Sequence, residues 1–303
     1  MGGVRRFYGG ENEKAGAGQA LAGRAAMKAI LHYPGAKWSL AGWIINHFPP
    51  HHSYLEPFFG SGAVLFNKPR SHIETVNDLD GEVVNLFQCI RQDPEKMGRM
   101  VYYTPYSRQE FERAYFPDPQ ADPFDRTIRF LIRCNQGYGF RTNGIRVGWK
   151  KDIAARERAY AAKYWGELPE EIIEAAERLR GVQIESRPAE ELIASFNERN
   201  VLIYCDPPYV LSSRKSGRRQ YKHEMTDQDH EKLLAVLKVH RGPVLISGYP
   251  SPLYDWELRD WNRETVTATD QSGRRRQEIL WMNFEQEKQQ SLFAELAEQR
   301  RDN

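Results

Sequence analysis

Cysteine is scarce in this sequence of 303 residues, which contains only Cys89, Cys134 and Cys205. These three residues are far apart, odd in number and in no CxxC pair, so we expect neither a disulfide framework nor a cysteine-rich zinc site. An HExxH sequence is also missing, and we predict that the protein binds no metal. Such cysteine usage is typical of a protein of the cytosol.

Long hydrophobic runs are missing as well. The densest apolar run, Val201–Cys205, is far shorter than the roughly 18 residues that cross a bilayer, so we expect no membrane partner. Charge of one sign does not dominate either, because 43 Lys and Arg residues are balanced by 41 Asp and Glu residues. With 40% hydrophobic and 28% charged residues, the composition indicates a globular chain with a sizeable core and excludes a disordered or fibrous one.

The basic residues are unevenly distributed along the chain. Only Asp152 and Glu157 interrupt a first basic region, which contains Arg133, Arg141, Arg146, Lys150, Lys151, Arg156, Arg158 and Lys163. A second run contains Arg214, Lys215, Arg218, Arg219 and Lys222, and a third is Arg274–Arg276. A single cluster of this kind is usually a solvated face, but three clusters near the motifs described below favour a surface that binds a polyanion.

Short apolar segments alternate with amphipathic helical ones from Ala29 onward. This alternation predicts a layered α/β sheet. The predicted strands are Ser53–Pro57, Ile73–Asn77, Val182–Glu185, Val201–Cys205, Pro243–Ser247, Glu264–Thr269 and Glu278–Phe284. A turn-like sequence, Asp270–Gly273, joins the last two, so we expect an antiparallel pair at the end of a mixed seven-stranded sheet.

One segment interrupts the alternation, because residues 81–166 contain helix patterns and no convincing strand. Ser107 and Asp122-Pro123 are typical helix starts within it, and Asp227 is expected to cap a later helix. This segment also holds the densest basic region. We therefore predict a helical insertion that carries binding residues on a sheet domain that carries the chemistry.

The chain is expected to divide into four parts. The sheet domain is formed by residues 28–80 and 167–284, and the helical insertion by residues 81–166. Residues 1–27 are rich in Gly and Ala and have no apolar central region, so we expect a mobile extension and not a signal peptide. Residues 285–303 are predicted to form a C-terminal tail.

The sequence Asp206-Pro207-Pro208-Tyr209 directly follows the most apolar predicted strand. In an open α/β sheet, functional groups gather at the carboxyl ends of the strands. The Asp206 carboxylate and a main-chain carbonyl held by the prolines can accept both N–H bonds of one amino group, which leaves the nitrogen lone pair free to attack. Tyr209 offers a face on which a planar base can stack. A simple strand-ending turn is the alternative.

A second motif, Glu56–Gly62, follows an earlier predicted strand and precedes a short helix. Its glycines let a ligand approach the backbone, and the helix N-terminus favours an anionic group such as a carboxylate. The third glycine of the dinucleotide fingerprint and the Lys-Ser/Thr pair of a phosphate-binding loop are missing, so a nicotinamide or ATP site is disfavoured. Glu56 suits a cationic ligand and Phe58 a flat or sulfur-bearing one. After the next strand, Asp78 can accept ribose hydroxyls, although Asp78 and Asp80 are also typical helix caps.

Taken in order, these segments resemble the motifs of the Dam-like, D12 class of DNA adenine-N6 methyltransferases, especially members from bacteriophages and prophages. The matching segments are Tyr33–Lys37, Glu56–Gly62, Asn77-Asp78, Asp206–Tyr209, Tyr221–Asp227, Leu245–Tyr249 and Arg276–Asn283. The resemblance implies a Rossmann-like class I methyltransferase fold. It also implies S-adenosylmethionine as the methyl donor and an adenine flipped out of double-stranded DNA as the acceptor.

The resemblance assigns roles residue by residue. Catalysis is expected of Asp206, Pro207, Pro208 and Tyr209. Donor binding is expected of Tyr33, Gly35, Lys37, Glu56, Pro57, Phe58, Gly60, Gly62, Asp78 and Asp206, with Asp78 on the ribose. Lys37 is also expected to pair with the acidic face of the catalytic loop. Because residues 133–143 resemble the family's target-recognition stretch, DNA binding is expected of Arg133, Arg141 and Asn143, and of Lys150 in the same basic region. Arg214, Lys215, Arg218 and Arg219 follow the catalytic loop closely enough to hold the phosphates that flank the adenine, so DNA binding is expected of them as well.

One departure from the family concerns Glu185–Pro188, where many relatives place an acid suited to the adenine ring of the donor. Two other functions stay open on the sequence alone. An enzyme that methylates glutamine amides in proteins holds its NH2 group with hydrogen-bond acceptors in the same way, usually with Asn at the position of Asp206. A catalytically degenerate relative would bind DNA without methylating it. The expected enzyme needs no obligate protein partner and works in the cytoplasm of a bacterium or of a phage-infected host cell.

Overall fold

A computed structural model describes residues 27–139, 142, 144–151, 161–211, 220–269 and 275–285. The predicted extension over residues 1–27 therefore lies outside the described residues except for Met27, and so does the predicted tail except for Glu285. The turn predicted at Asp270–Gly273 also lies outside them.

Seven strands form one sheet in the order β3-β2-β1-β4-β5-β7-β6. Their bounds are β1 Ser53–Glu56, β2 Ile73–Asn77, β3 Val182–Glu185, β4 Val201–Cys205, β5 Val244–Gly248, β6 Asn262–Thr269 and β7 Arg275–Met282. The first five strands are parallel to one another, whereas β7 is antiparallel to both β5 and β6. The prediction of a mixed seven-stranded α/β sheet with a final antiparallel pair is confirmed.

The strand β4 lies between β1 and β5, and all five of its residues are buried. A parallel strand covered on both faces needs a continuous apolar sequence, which explains why Val201–Cys205 is the densest apolar run of the chain. Successive side chains point to opposite faces, so Leu202 and Tyr204 pack in one core cluster and Ile203 and Cys205 in the other. The sheet thus separates two apolar layers.

Ten helices are assigned in the described part of the chain. Their bounds are α1 Ala41–Ile45, α2 Ala63–Asn67, α3 Gly81–Gln92, α4 Pro94–Tyr103, α5 Arg108–Arg113, α6 Pro123–Gln136, α7 Ala161–Arg178, α8 Ala189–Ser195, α9 Asp227–Lys238 and α10 Pro252–Glu257. None of them is both long and apolar enough to cross a membrane. Between β2 and β3 the described residues contain α3 to α7 and one isolated β-bridge, Gly137 to Trp149, so the predicted run of helices is confirmed.

The predicted helix starts are largely confirmed by side-chain caps. The carboxylate of Asp122 accepts a hydrogen bond from the Asp125 N–H at the start of α6, and the hydroxyl of Ser107 caps α5. The predicted cap of α9 at Asp227 is wrong by one residue. Thr226 caps this helix instead, because its hydroxyl accepts from the N–H of Asp229 while the Asp229 carboxylate accepts from the N–H of Thr226.

The last strand begins earlier than the sequence predicted. Pairing with β6 extends along the whole of β7, from Met282 opposite Asn262 to Arg275 opposite Thr269. The start of β7 is polar and gives no apolar pattern from which this pairing could be predicted. It needs none, because this part of β7 pairs with the exposed edge strand β6. Glu278, predicted as the first residue of the strand, therefore lies inside it. Because β7 is antiparallel to β5, its first half lies at the edge of the sheet where the parallel strands end.

Candidate active site

A cleft of about 330 Å³ opens at the carboxyl ends of β1, β2 and β4. Its walls are provided by the segments that follow these strands and by the segment that precedes α1. The cleft is lined by ten of the predicted site residues, namely Tyr33, Gly35, Lys37, Glu56, Pro57, Phe58, Gly60, Asp78, Asp206 and Pro208. Among the predicted catalytic and donor-binding residues, all of which the structure describes, Gly62, Pro207 and Tyr209 lie outside this lining.

The turn between β1 and α2 is shaped by its glycines. Gly62 has a φ of +70° at the N-cap of α2, and a Cβ there would lie 2.5 Å from the ring of Phe66 and 2.6 Å from that of Phe59. Only glycine fits this conformation and this space. The N–H of Gly60 donates to the Asp78 carboxylate over 2.8 Å, so the turn is fastened to the end of β2.

The two acids after β2 have different surroundings. Asp80 caps α3 by accepting from the Glu82 N–H and pairs with Lys222 at 3.2 Å, which confirms the capping role considered for it. Asp78 lines the cleft and accepts from the N–H groups of Gly60 and Asp80. Burial raises the pKa of Asp78 to about 6, and these hydrogen bonds limit the rise.

Glu56 at the end of β1 is 3% exposed, yet it lines the cleft. The hydroxyl of Tyr54 donates to its carboxylate over 2.8 Å. Burial and the nearby Asp206 carboxylate raise the pKa of Glu56 to about 8, although the Tyr54 hydrogen bond and Lys68 oppose the rise. A buried acid that lines a cleft and has a strongly shifted pKa is a candidate functional residue.

The segment that carries Lys37 is held against the loop that follows β4. Gly35 has a φ of +70°, and a Cβ there would lie 2.5 Å from the hydroxyl oxygen of Tyr221. That hydroxyl donates to the carbonyl of Pro34 over 3.0 Å, and the rings of Tyr33 and Tyr221 lie 5.8 Å apart. The absence of a side chain at Gly35 thus lets Tyr221 fasten the segment in place.

Lys37 is 5% exposed and forms the predicted pair with the catalytic loop. Its ammonium lies 2.7 Å from one oxygen of Asp206 and 2.9 Å from the other. It also donates to the carbonyl of Gly35 over 3.0 Å and to the hydroxyl of Tyr209. Burial alone would lower the pKa of Lys37, but Asp206 and Glu278 outweigh burial and hold it above its usual value.

Asp206 receives a further hydrogen bond, over 2.9 Å, from the hydroxyl of Ser247 on β5. Because Ser247 donates to a carboxylate, it accepts at 3.0 Å from Tyr204, whose hydroxyl must be the donor. The Asp206 side chain is 18% exposed and lines the cleft. A carboxylate has about four acceptor positions, and Lys37 and Ser247 leave room for one more donor from the cleft.

Glu278 is a site residue that the sequence did not single out. Its carboxylate lies 3.4 Å from the Lys37 ammonium and accepts a hydrogen bond from the hydroxyl of Tyr209. Burial and the charge of Asp206 raise the pKa of Glu278, and Lys37 opposes the rise. The available signal was an acid directly before the apolar run 279–282, inside a segment that resembles a family motif.

An aromatic pair lies beside Asp206. The ring of Tyr209 lies 4.3 Å from that of Tyr249, at an angle of 56°. The hydroxyl of Tyr209 accepts a hydrogen bond from Lys37 and donates one to Glu278. These two hydrogen bonds fix the orientation of the ring.

Few of the predicted DNA-binding residues can be located. Arg141, Asn143, Arg214, Lys215, Arg218 and Arg219 lie outside the described residues. Arg133 is half-buried and donates to the carbonyl of Ala114 over 2.7 Å. Lys150 is half-buried near the carbonyl of Asn135, and burial lowers its pKa to about 8. Both residues therefore bind the backbone of the helical insertion.

The departure noted after β3 has a structural counterpart. Arg187, Pro188 and Glu190 line the cleft, whereas Glu185, which the structure also describes, does not. The Asn77 side chain fixes this turn, because it accepts from the Arg187 N–H over 2.8 Å and donates to the carbonyl of Arg187 over 3.1 Å. In the described part of the chain, no group of three or more His, Cys, Asp and Glu side chains could hold a metal ion.

Comparison with known proteins identifies the family. Residues 33–266 match the model of the D12 class N6 adenine-specific DNA methyltransferases. The DNA adenine methylase of Salmonella typhi is 27% identical over 252 residues, which cover 77% of this chain and 84% of that protein. The DNA adenine methylase of Escherichia coli K12 is 26% identical with the same coverage. The type II methyltransferase M1.LlaDCHI of Lactococcus lactis subsp. cremoris is 25% identical over 263 residues, or 82% of this chain and 90% of that protein.

The matched region includes the cleft, the loop after β4 and the helical insertion. Membership in a methyltransferase family implies S-adenosylmethionine as the methyl donor, and membership in this one implies DNA as the substrate. The predicted D12 class, the fold class and the adenine-specific methylation of DNA are thereby confirmed, and the glutamine-methylating and non-catalytic alternatives are disfavoured. The phage or prophage type and the flipping of the adenine stay predictions. The chain belongs to the D12 class of N6 adenine-specific DNA methyltransferases.

Proposed function

We propose that the acceptor adenine leaves the DNA duplex and binds beside Asp206, between the donor cleft and the ring of Tyr209, where its amino group is held for methylation. The observation that carries this proposal is the Asp206 carboxylate, which is fixed by Lys37 and Ser247 and keeps one acceptor position towards the cleft. The carbonyl of Pro207 is the proposed second acceptor. Unstacking a base costs a few kcal/mol, and stacking on the fixed ring of Tyr209 offsets about 1–3 kcal/mol of it.

The described residues also fit the methyl donor. A cleft of about 330 Å³ is within the usual range for ligand sites, and its glycine turns bring backbone close to it. We assign the ribose hydroxyls to Asp78 and the cationic part of the donor to Glu56. Tyr33, Gly35, Lys37, Pro57, Phe58 and Gly60 complete this surface, whereas Gly62 supports it from behind by giving room to Phe59 and Phe66.

The bound donor supplies an electrophilic methyl group on a sulfonium. The adenine nitrogen lone pair forms the new N–C bond while the S–C bond breaks, and the electron pair of that bond stays on sulfur. The methylated amine then loses one proton to solvent. The contribution of this chain is to orient the amino group and to place negative charge where positive charge develops.

Double-stranded DNA is proposed to lie across the helical insertion and the loop after β4. The support comes from the charge pattern, since residues 133–163 and 214–222 are the most basic regions and flank the cleft-lining segments in sequence. Arg141, Asn143 and the basic residues of 212–219 are proposed to contact DNA at this surface. Arg133 and Lys150, which bind the backbone of the helical insertion, are proposed to add positive charge to it. The helical insertion over 81–166 is accordingly proposed as the target-recognition part of the chain.

The assignment is tested by incubating the protein with isotopically labelled donor and mixed duplex DNA. We expect label in N6-methyladenine, and mapping of the modified positions defines the recognition sequence. The thymine opposite the target is then expected to become reactive to permanganate on binding, because the adenine has left the duplex and no longer covers it. Label in protein would contradict the proposed acceptor, and an unreactive thymine at a methylated site would contradict base flipping.

Donor affinity is predicted to depend on pH through Glu56. Because the pKa of Glu56 is raised to about 8, this carboxyl is mostly protonated at pH 6.5 and ionised above pH 8. A cationic donor prefers the ionised form, so affinity should rise with pH by up to about tenfold per unit below pH 8. Calorimetry in two buffers of different ionisation enthalpy measures the proton that binding releases.

The matched control is Glu56→Gln, which keeps the shape of the side chain and cannot ionise. The donor's own α-amino group titrates near pH 8 in both proteins, so the difference between their pH profiles isolates Glu56. We expect weaker binding by Glu56→Gln above pH 8 and a smaller proton release. Identical profiles for the two proteins would refute the assignment.

DNA binding is predicted to lose salt dependence when the basic run after Tyr209 is shortened. Each phosphate contact contributes about 0.9 to the slope of log K against log salt, so Arg214→Ala with Lys215→Ala should lower the slope by about 1.8. Fluorescence anisotropy with a labelled duplex at several salt concentrations measures it. The control, Lys232→Ala with Lys238→Ala, removes the same charge from the exposed side of α9 and should leave the slope unchanged. Equal slopes for wild type and for Arg214→Ala with Lys215→Ala would exclude contacts of Arg214 and Lys215 with the phosphates.

A further inference from the structure

Glu278 brings a second carboxylate to the ammonium of Lys37. Lys37 lies 2.7 Å from an Asp206 oxygen and 3.4 Å from a Glu278 oxygen, and the side chains of Lys37 and Glu278 are each 5% exposed. With both acids ionised, the three side chains carry a net charge of −1. Without Glu278, the charge of Lys37 would cancel that of Asp206.

The net charge matters because methyl transfer moves positive charge towards Asp206. As the N–C bond forms and the S–C bond breaks, the charge that was on sulfur appears on the adenine amino nitrogen, and a proton later leaves that nitrogen. A developing cation is stabilised by a nearby net negative charge, and the effect is strong in a site with little water. A neutral Lys37–Asp206 pair would provide a much weaker field.

We propose that Glu278 is a positioning residue that balances the charge of Lys37, so that Asp206 keeps its negative charge for the acceptor amine. Through the Tyr209 hydroxyl, Glu278 also fixes the ring on which the base stacks. The inference rests on the proposed role of Asp206. Glu278 does not line the cleft, so it acts through Lys37 and Tyr209 and not by touching the donor.

The surroundings of Glu278 define how it responds to pH. The groups that act on it are Lys37 before α1, Asp206 and Tyr209 after β4, and Tyr204 on β4. Burial and Asp206 raise the pKa of Glu278. As the pH falls, Glu278 therefore becomes protonated earlier than an ordinary glutamate does. Protonation has the same effect on the net charge as the change Glu278→Gln.

The test compares four proteins in single-turnover methylation: wild type, Glu278→Gln, Lys37→Met and the double variant. Glu278→Gln leaves the three positions neutral and should slow transfer by about tenfold to a hundredfold at pH 8.5. Lys37→Met leaves the carboxylates of Asp206 and Glu278 without the cation that both contact, so this variant should also transfer methyl slowly. The double variant leaves Asp206 as the single charge, restores −1, and should transfer faster than Glu278→Gln.

Two further measurements separate charge balance from simple support of the fold. The donor dissociation constant of Glu278→Gln should lie within about threefold of wild type, and the thermal midpoints show whether each variant is folded. The rates of wild type and Glu278→Gln should converge as the pH falls, because Glu278 of wild type becomes protonated. Glu56 and Asp78 titrate in both proteins, so their effects cancel in the ratio of the two rates. A double variant slower than both single variants, or a constant rate ratio across pH, would overturn the inference.

If a Lys37 variant fails to fold, the pH profiles of wild type and Glu278→Gln decide alone. Failure of the inference is distinguishable from failure of the proposed function through Asp206→Ala. Methyl transfer by Asp206→Ala at the wild-type rate would contradict both the proposed role of Asp206 and that of Glu278. An inactive Asp206→Ala beside a fully active Glu278→Gln would remove only the role of Glu278.

Discussion

Replacing Asp206 by Ala is expected to lower single-turnover methyl transfer to DNA by about 10³-fold. The variant loses the acceptor that orients the adenine amino group, and it leaves the buried ammonium of Lys37 with Glu278 as its remaining carboxylate partner among the described residues. Transfer is measured as incorporation of labelled methyl into a duplex that contains the mapped site. Calorimetry should show that donor binding partly survives, because Glu56 and Asp78 are untouched.

The matched control is Asp206→Asn, which keeps the shape of the side chain and one oxygen acceptor, removes the charge and replaces the second oxygen by an NH2 donor. Its rate is expected to lie between those of wild type and Asp206→Ala. This order separates the geometric contribution of the acceptor from the electrostatic one. Transfer by Asp206→Ala at the wild-type rate would rule out the role of the carboxylate.

Replacing Glu74 by Ala is expected to lower the free energy of unfolding by about 3–5 kcal/mol. Glu74 on β2 is 3% exposed and accepts from Lys68 over 2.6 Å and from both terminal nitrogens of Arg178 over 2.5 and 2.8 Å. The ammonium of Lys68 is itself buried beside the ring of Tyr54. Removing the shared carboxylate leaves two cations close together and away from water, which is the costly way to break a buried ion pair.

Urea unfolding at pH 7 measures this loss. The matched control is Glu177→Ala, which removes an exposed carboxylate from its pair with Arg180 and should cost less than about 1 kcal/mol. Although burial opposes it, pairing with Arg178 and Lys68 lowers the pKa of Glu74. Its contribution is therefore complete at neutral pH and declines as the pH falls through that lowered pKa. Equal stabilities of the two variants would show that the buried network contributes nothing.

The sheet and much of the cleft were predictable because they depend on local patterns. Apolar runs marked the parallel strands, and the segments Glu56–Gly62 and Asp206–Tyr209 directly follow two of them. Strand ends at one edge of a parallel sheet meet in space, so residues after different strands were correctly placed in one cleft. The pair of Lys37 with Asp206 was predicted as well.

The contribution of Glu278 could not be predicted in the same way. It depends on where an antiparallel strand begins, and the polar start of β7 gives no periodic signal. The role of Ser247 depends on the register that places β5 beside β4. The cap of α9 differed by one residue because Thr226 and Asp227 are both good capping residues, and only the reciprocal bonds with Asp229 decide between them.

The cluster around Lys37 joins distant parts of the chain: Asp206 lies 169 positions from Lys37, and Glu278 lies 69 positions from Tyr209. During synthesis on the ribosome, a nascent chain that has not yet released β7 contains every residue that lines the donor cleft but lacks Glu278. Long-range contacts of this kind also form late in folding. Full activity should therefore appear only after the last strand is added, which would keep unfinished chains from modifying DNA.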